Sequence, residues 1–260
     1  MLAYQHAYHA GNLADVHKHA LLAEALAYLV QKPKPLHYLD THAGRGVYNL
    51  AGAEARKTGE AEAGILRLAD WFDAGHPYRS AMEDVARRHG PDAYPGSPAI
   101  AAALLRDMDE MTLVERHPGE IEHLRDALPG AKILAEDGWQ AAKSLTPPEP
   151  RRGLMLVDPS YELAEDFECV LSLVTMVRKK WPVGILMVWY PILSTGAHAA
   201  MTRALRAQEG STAFSEVGFP PAREGHRLVG SGLFVVNPPW GWEEKAAALE
   251  AKFSGLPASR

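Results

Sequence analysis

The sequence predicts an α/β fold: a mostly parallel, Rossmann-like sheet with one antiparallel strand late in the chain and a small helical insertion. Three observations predict it. Short apolar runs alternate with amphipathic helical stretches, the pattern of parallel strands joined by crossover helices. The first run leads into a glycine-containing loop, Thr41-His42-Ala43-Gly44-Arg45-Gly46, as a nucleotide-binding α/β domain begins. The last two runs, near Ala213–Val217 and Leu233–Val236, follow one another without a helix, which predicts a hairpin.

The elements are expected in this order. Val16–Val30 repeats Leu21, Leu22, Ala25, Leu26 and Leu29 at helical spacing, and Lys32-Pro33-Lys34-Pro35 stops it. Leu36–Asp40 is a strand, and the glycine loop after it is expected to open a helix. Residues 53–94 are polar and helical, with few strand signals. They are read as an insertion subdomain closed by the turn-rich Tyr94-Pro95-Gly96-Ser97-Pro98, so that residues 1–52 and 95–260 form the main domain. Ile100–Arg106 is helical, Met111–Glu115 a strand, Glu120–Ala127 a helix and Lys132–Glu136 a strand. Gly153–Val157 is the fourth strand, Phe167–Lys180 a helix, Val183–Trp189 a fifth strand closed by Tyr190-Pro191, and His198–Gln208 a helix.

Bulk properties restrict the setting. A chain of 260 residues, 47% hydrophobic and 23% charged, suits one large globular domain with a modest insertion. No apolar run reaches the roughly 18 residues of a membrane span, and Met1–Asn12 lacks the pattern of a secretory signal. Cys169 is the only cysteine, which leaves no internal disulfide. The expected location is the cytoplasm. A net charge of −5 argues mildly against nucleic acid, although basic spots such as Lys18, Arg45, Arg56-Lys57, Arg87-Arg88, Arg151-Arg152 and Arg178-Lys179-Lys180 can form a local basic face.

Four strand ends carry the chemistry. Gly44 and Gly46 let backbone approach a ligand closely. Glu115, at the end of the second strand, is placed to accept from both hydroxyls of a ribose. Asp137-Gly138, after the third, offers an acceptor for an adenine amino group with room beside it. After the fourth strand comes Asp158-Pro159-Ser160-Tyr161, the most informative of the four. The amino nitrogen of adenine is a poor nucleophile because its lone pair is delocalised into the ring. A carboxylate (Asp158) and a backbone carbonyl (Pro159) can each accept one of its N–H groups and free that lone pair, and Tyr161 can stack a flipped-out base. This grammar suits methyl transfer from S-adenosylmethionine. Asn237-Pro238-Pro239-Trp240 has the same grammar but follows a late strand, and is assigned to structure. His6, His9, His17, His19, His37 and His42 are dense, yet lack the ligand grammar of a zinc site, so no metal is expected. Tyr4 and Tyr8 are candidates for stacking bases, and Lys18 for a phosphate or the methionine carboxylate. From the residues alone the acceptor stays open between RNA, DNA, a protein glutamine and a small molecule, and a nucleoside-binding module without catalysis stays open too.

The resemblance to a known family narrows this. Tyr4-x-His6, His9-Ala10-Gly11-Asn12-x-Ala14-Asp15, Lys18-His19, Tyr38–Gly44, Tyr94–Pro98, Asp137-Gly138, Asp158-Pro159-x-Tyr161-Glu162, Trp189-Tyr190-Pro191 and Asn237–Trp240 resemble the RlmJ (YhiR) family of bacterial 23S ribosomal RNA adenine-N6 methyltransferases. The resemblance spans nearly the whole chain. It implies S-adenosylmethionine as cofactor, leaving as S-adenosylhomocysteine, with contacts at His19, His42, Ser97, Glu115, Asp137 and Gly138. It implies Asp158 as the catalytic acid residue and places Tyr4, His6 and Lys18 near the substrate. It implies 23S rRNA as partner, free of ribosomal proteins or early in assembly, with neither membrane nor metal. The family has a second proline where this chain has Ser160, which leaves the loop less rigid.

Overall fold

The computed structural model describes residues 5–223 and 225–256. Along the chain come α1 (Leu13–Val30), β1 (His37–Asp40), β2 (Val47–Asn49), α2 (Ala53–Thr58), α3 (Glu60–Ala63), α4 (Ile65–Leu68), α5 (Pro77–His89), β3 (Ala93–Pro95) and α6 (Ser97–Leu104). Then follow β4 (Glu110–Val114), α7 (Pro118–Ala127), β5 (Lys132–Leu134), α8 (Gly138–Ser144), β6 (Gly153–Val157), α9 (Glu165–Lys180), β7 (Ile185–Leu193), α10 (Ala199–Arg206), β8 (Thr212–Gly218), β9 (Leu228–Val236) and α11 (Trp242–Ser254).

Seven strands form one sheet in the order β5-β4-β1-β6-β7-β9-β8. All neighbours are parallel except that β9 runs antiparallel to both β7 and β8. Side chains alternate between two apolar layers, as the period of a strand requires. Tyr38, Leu154, Leu156, Met187 and Leu233 meet α1 and α11 on one side. Leu39, Met155, Val157, Leu186, Val188 and Phe234 meet α9 and α10 on the other. Every residue of β6 is buried, which is why Gly153–Val157 reads as an unbroken apolar run. After β1 the chain moves outward through β4 to β5, then returns to lay β6 on β1's other side. That reversal opens a crevice at the carboxyl ends of β1, β4 and β6, where ligands of such sheets bind. Among the described residues, no helix is long and apolar enough to cross a membrane.

The α/β class, the parallel order and the late antiparallel strand agree with expectation, and four local details do not. The loop after β1 runs into β2 rather than a helix. Gly44 (φ 63°) and Gly46 (φ 77°) turn the chain left-handed, and Val47-Tyr48 then pairs with Tyr94-Pro95, residues expected in a turn. Pro191 does not close the fifth strand. β6 ends its pairing at Val188, so beyond it β7 has only β9 as neighbour, and a one-sided position tolerates proline. Two helices, α8 and α11, went unforeseen. Asp137 was read for a ligand, yet it also accepts from the backbone N–H of Gln140 at 3.1 Å and so caps α8. In α11 the buried Trp242, Ala246, Leu249 and Phe253 recur at helical spacing, a signal the sequence did carry.

Candidate functional site

The crevice is a cavity of about 460 Å³, bordered by the start of α1, the loops after β1, β4, β5 and β6, and the end of β7. Of the candidates named from the sequence, Gly46 and Tyr8 do not border it and Tyr4 lies outside the described residues, while the other catalytic, cofactor and substrate candidates all do.

The start of α1 builds one wall. Asn12 Oδ1 accepts from the Asp15 backbone N–H at 2.9 Å and caps the helix. Asp15, 1% exposed, accepts from the Gly11 N–H at 2.9 Å and lies 2.8 Å from His6 Nε2. One turn on, Lys18 Nζ lies 3.0 Å from Asp15 Oδ1 and donates to Asp158 Oδ2 at 2.6 Å. The ammonium also sits 5.3 Å from the centre of the Trp189 ring. Burial alone would lower the Lys18 pKa, but Asp158 and Asp15 together hold it above the ordinary lysine range. Lys18 is thus an internal counter-charge to both carboxylates. His19 is buried one residue on, with Nδ1 2.9 Å from the Tyr94 hydroxyl, which in turn meets the Tyr78 hydroxyl at 2.7 Å. Burial pushes His19 down to about 3, so the ring is neutral.

The strand ends build the opposite wall. Glu115 accepts three backbone N–H groups, from Gly44 at 2.8 Å, Arg116 at 2.8 Å and His117 at 2.7 Å. Those bonds fix the carboxylate at the end of β4. Asp137 is held by the α8 cap and by Arg116 at 3.2 Å. A Cβ on Gly138 would lie 2.1 Å from the Thr41 carbonyl oxygen and 2.9 Å from His42 Nε2. The glycine therefore serves the packing of two loops. His42 Nδ1 is 2.8 Å from Thr41 Oγ1, and burial lowers its pKa to about 4. Ser97, first residue of α6, donates to Asp40 Oδ2 at 2.7 Å. The fully buried Asp40 also accepts from the Tyr38 hydroxyl at 2.8 Å and the His42 N–H at 3.2 Å, and burial raises it to about 6.

Asp158 follows β6 at the floor. Tyr161 has φ 53°, a left-handed conformation rare for a bulky residue and typical of loops built for function. Its hydroxyl donates to the Trp189 carbonyl at 2.6 Å, and its ring packs 4.8 Å from Phe167. Asn237 is elsewhere: its amide donates to the Pro182 and Gly184 carbonyls at 3.0 and 2.8 Å, beside the start of β7 and so at the opposite end of the parallel strands. Sequence reasoning gave no role to Asp15, Asp40 or Trp189. Asp15 and Trp189 lie inside motifs quoted above, but the meeting of Trp189 with Lys18 depends on α1 packing on the sheet at β9, next to β7, which no local pattern shows.

A family model described as "Ribosomal RNA large subunit methyltransferase D, RlmJ" matches residues 33–253. Ribosomal RNA large subunit methyltransferase J of Escherichia coli (strain K12) is 37% identical over 254 residues, spanning 94% of this chain and 90% of that protein. The protein of the same name from Haemophilus influenzae is 36% identical over 248 residues, spanning 92% and 88%. A crystal structure of a Legionella pneumophila protein has the same fold, with a TM-score of 0.83 at 32% identity over 95% of this chain and 93% of that one.

Proposed function

The chain belongs to the RlmJ family of ribosomal RNA large subunit methyltransferases, and on that premise we propose that it methylates the N6 amino group of an adenine in 23S rRNA, using S-adenosylmethionine. The observation that carries the reading is the Asp158 carboxylate at the floor of a cavity that also holds Glu115 and Asp137 at adjacent strand ends.

The residues present fit the cofactor. Glu115 is fixed by three N–H groups, two on Oε1 and one on Oε2, which leaves Oε2 a lone pair to accept from a ribose hydroxyl. Asp137 can accept from the adenine amino group. The neutral rings of His19 and His42 add no charge next to a sulfonium. S-adenosylmethionine, when bound, supplies a methyl group on a positively charged sulfur.

The chain's own residues prepare the acceptor. Lys18 occupies Oδ2 of Asp158, which leaves Oδ1 for one N–H of the target amine. The Pro159 carbonyl is one residue away and can take the other. Two acceptors on one amino group pull its nitrogen toward tetrahedral geometry and aim the lone pair, so that catalysis is chiefly positioning and preorganised electrostatics. Asp158 or water takes the proton released after transfer. The strained Tyr161 backbone and the bond from its hydroxyl to Trp189 fix the ring beside the target base.

The substrate is read as rRNA free of ribosomal proteins or early in assembly, in the cytoplasm. Residues 53–94 are read as an insertion subdomain that clamps RNA. Arg56 is exposed there, whereas Arg87 and Arg88 both pair with Asp84.

Asp158→Asn tests the reading. The amide keeps the shape but puts an N–H where an acceptor is needed. Turnover on unmodified 23S rRNA is expected to fall at least about 100-fold, the scale of losing a positioned electrostatic group. S-adenosylhomocysteine binding, measured by calorimetry, is expected to stay within about threefold, a difference well under 1.4 kcal/mol. Unchanged turnover removes Asp158 from the chemistry.

A further inference from the structure

Behind the Trp189 face of the cavity runs a buried chain of polar groups that the reaction does not use. Trp189 Nε1 donates to Ser231 Oγ at 2.9 Å. Ser231 Oγ lies 2.8 Å from His17 Nδ1, and His17 Nε2 lies 2.9 Å from Ser215 Oγ. Ser215 Oγ donates to Glu250 Oε1 at 2.6 Å. His17 and Ser231 are fully buried, and Ser215 is 1% exposed.

The two ends and the neutral ring between them fix the protons in this chain. An indole nitrogen only donates, and an ionised carboxylate only accepts. Ser231 accepts from Trp189, and Ser215, whose proton goes to Glu250, accepts from His17 Nε2. Burial depresses the His17 ring to about 3, so it is neutral and carries its one proton on Nε2. Its Nδ1 therefore accepts from Ser231.

The geometry explains how such a chain can span the core. Sheet register sets Trp189 opposite Leu233 and Leu233 opposite Ser215, and Ser231 lies two residues from Leu233. Trp189, Ser231 and Ser215 accordingly face the same side of the sheet, toward α1. His17 reaches down from α1, Glu250 comes from α11, and Phe253 of α11 packs edge-on against the His17 ring at 5.9 Å. A row of polar groups here costs stability compared with an apolar packing, unless every member is bonded, and then it fixes one arrangement of the side chains. Its outer end is the indole on which the Lys18 ammonium rests, 2.6 Å from Asp158.

We propose that His17 is a positioning residue: through Ser231 it fixes the Trp189 indole, and with it the Lys18–Asp158 pair at the floor of the cavity. The proposal rests on the reading of Asp158 as the group that receives the target amine. His17 itself touches neither substrate nor cofactor. His17 and Lys18 are consecutive on α1, so one helix turn sets both the counter-charge of Asp158 and the support of the ring beneath it.

The test is fluorine NMR on the full chain labelled with 5-fluorotryptophan, alongside steady-state methyl transfer to 23S rRNA. The six tryptophans give six resonances, and that of Trp189 is the one lost in Trp189→Phe. Ser231→Ala is expected to shift the Trp189 resonance and to lower kcat about tenfold, the scale of one buried hydrogen bond, with KM for S-adenosylmethionine nearly unchanged. Ser231→Thr, which keeps the hydroxyl, is expected to restore both. In the Trp189→Phe background, Ser231→Ala is expected to lower kcat no further. Glu250→Ala, at the partly exposed end remote from Trp189, is expected to move the same resonance in a variant that leaves the inner core intact. A Trp189 resonance unmoved by Ser231→Ala and by Glu250→Ala overturns the proposal. So does an equal loss of kcat from Ser231→Ala in both backgrounds, which marks general destabilisation. If the unsubstituted protein transfers no methyl group to RNA, the proposed function fails, while the Trp189 resonance still decides the relay.

Discussion

At Asp158 the two carboxylate oxygens have different surroundings. Lys18 donates to Oδ2 at 2.6 Å, which leaves Oδ1 to accept from another group, and Asp158 lines the cavity. The sequence marked Asp158 because an acid, a proline and a tyrosine follow an apolar strand. It left Lys18 ambiguous, since a lysine near a helix start reads equally well as a phosphate contact. In the fold Lys18 is 4% exposed, and its ammonium is paired with two carboxylates, as a buried charge requires. Lys18→Met is therefore expected to lower both turnover and stability, because it takes the ammonium from Asp158 and one of the partners from Asp15. The loss of stability, about 3 kcal/mol by the usual scale for half of a buried pair, is read from urea unfolding. Glu115 was legible from its place at a strand end, but its three N–H bonds were not, because the donors come from two separate loops. Glu115→Gln keeps the size and loses the charge. The Kd for S-adenosylhomocysteine in calorimetry is expected to rise about tenfold, and an unchanged value removes Glu115 from the ribose site.

Elements were legible where a pattern ran for several residues. Gly153–Val157 and the long helix ending at Val30 needed nothing beyond periodicity. The connection after β1 was not legible, because a glycine loop predicts a helix by analogy, and only the pairing of Val47–Asn49 with Ala93–Pro95 makes it a strand. That pairing spans the whole 53–94 segment, and no local signal reports it. Gly138 shows the same limit from the other side. The sequence suggested that it makes room for a ligand, whereas a side chain there would strike the Thr41 carbonyl at 2.1 Å. Gly138→Ala is expected to cost about 3 kcal/mol in urea unfolding, the upper range for forcing an extra methyl into packed backbone. A loss below 1 kcal/mol would mean that the loops after β1 and β5 are not in contact.

Across the whole molecule, the strand sequence and the cavity's position at the carboxyl ends could be read in advance from alternation and from the order of the four acidic or glycine-bearing strand ends. The burial of a polar layer between α1 and the sheet could not, because it joins residues about 200 positions apart, as His17 and Ser215 are. That layer has a measurable consequence in acid. His17 and His19 are depressed by burial from 6.5 to about 3, so both are neutral in the folded protein and charge on unfolding. Their contribution is complete above pH 6.5 and is lost as pH falls toward 3, by about 1.4 kcal/mol per pH unit for each ring. Asp40, raised by burial from 3.8 to about 6, acts in the opposite sense between those values, since the folded form keeps its proton. His42, and the less buried His76, both lowered by burial to about 4, act in the same sense as His17 and His19, so at least two rings' worth remains. The urea unfolding free energy is therefore expected to fall by at least about 3 kcal/mol per pH unit from pH 6 to pH 4, and His17→Leu is expected to reduce that slope by about 1.4 kcal/mol per pH unit. A slope unaffected by His17→Leu would mean that the ring titrates normally and is not sealed in the core.

The most direct test of the central claim is transfer of labelled methyl from S-adenosylmethionine to deproteinised, unmodified 23S rRNA, followed by digestion and mass analysis of the nucleosides, with Asp158→Ala alongside. The expected result is N6-methyladenosine with the unsubstituted protein and none with Asp158→Ala. Label on any other nucleoside, or equal N6-methyladenosine from both proteins, contradicts the account.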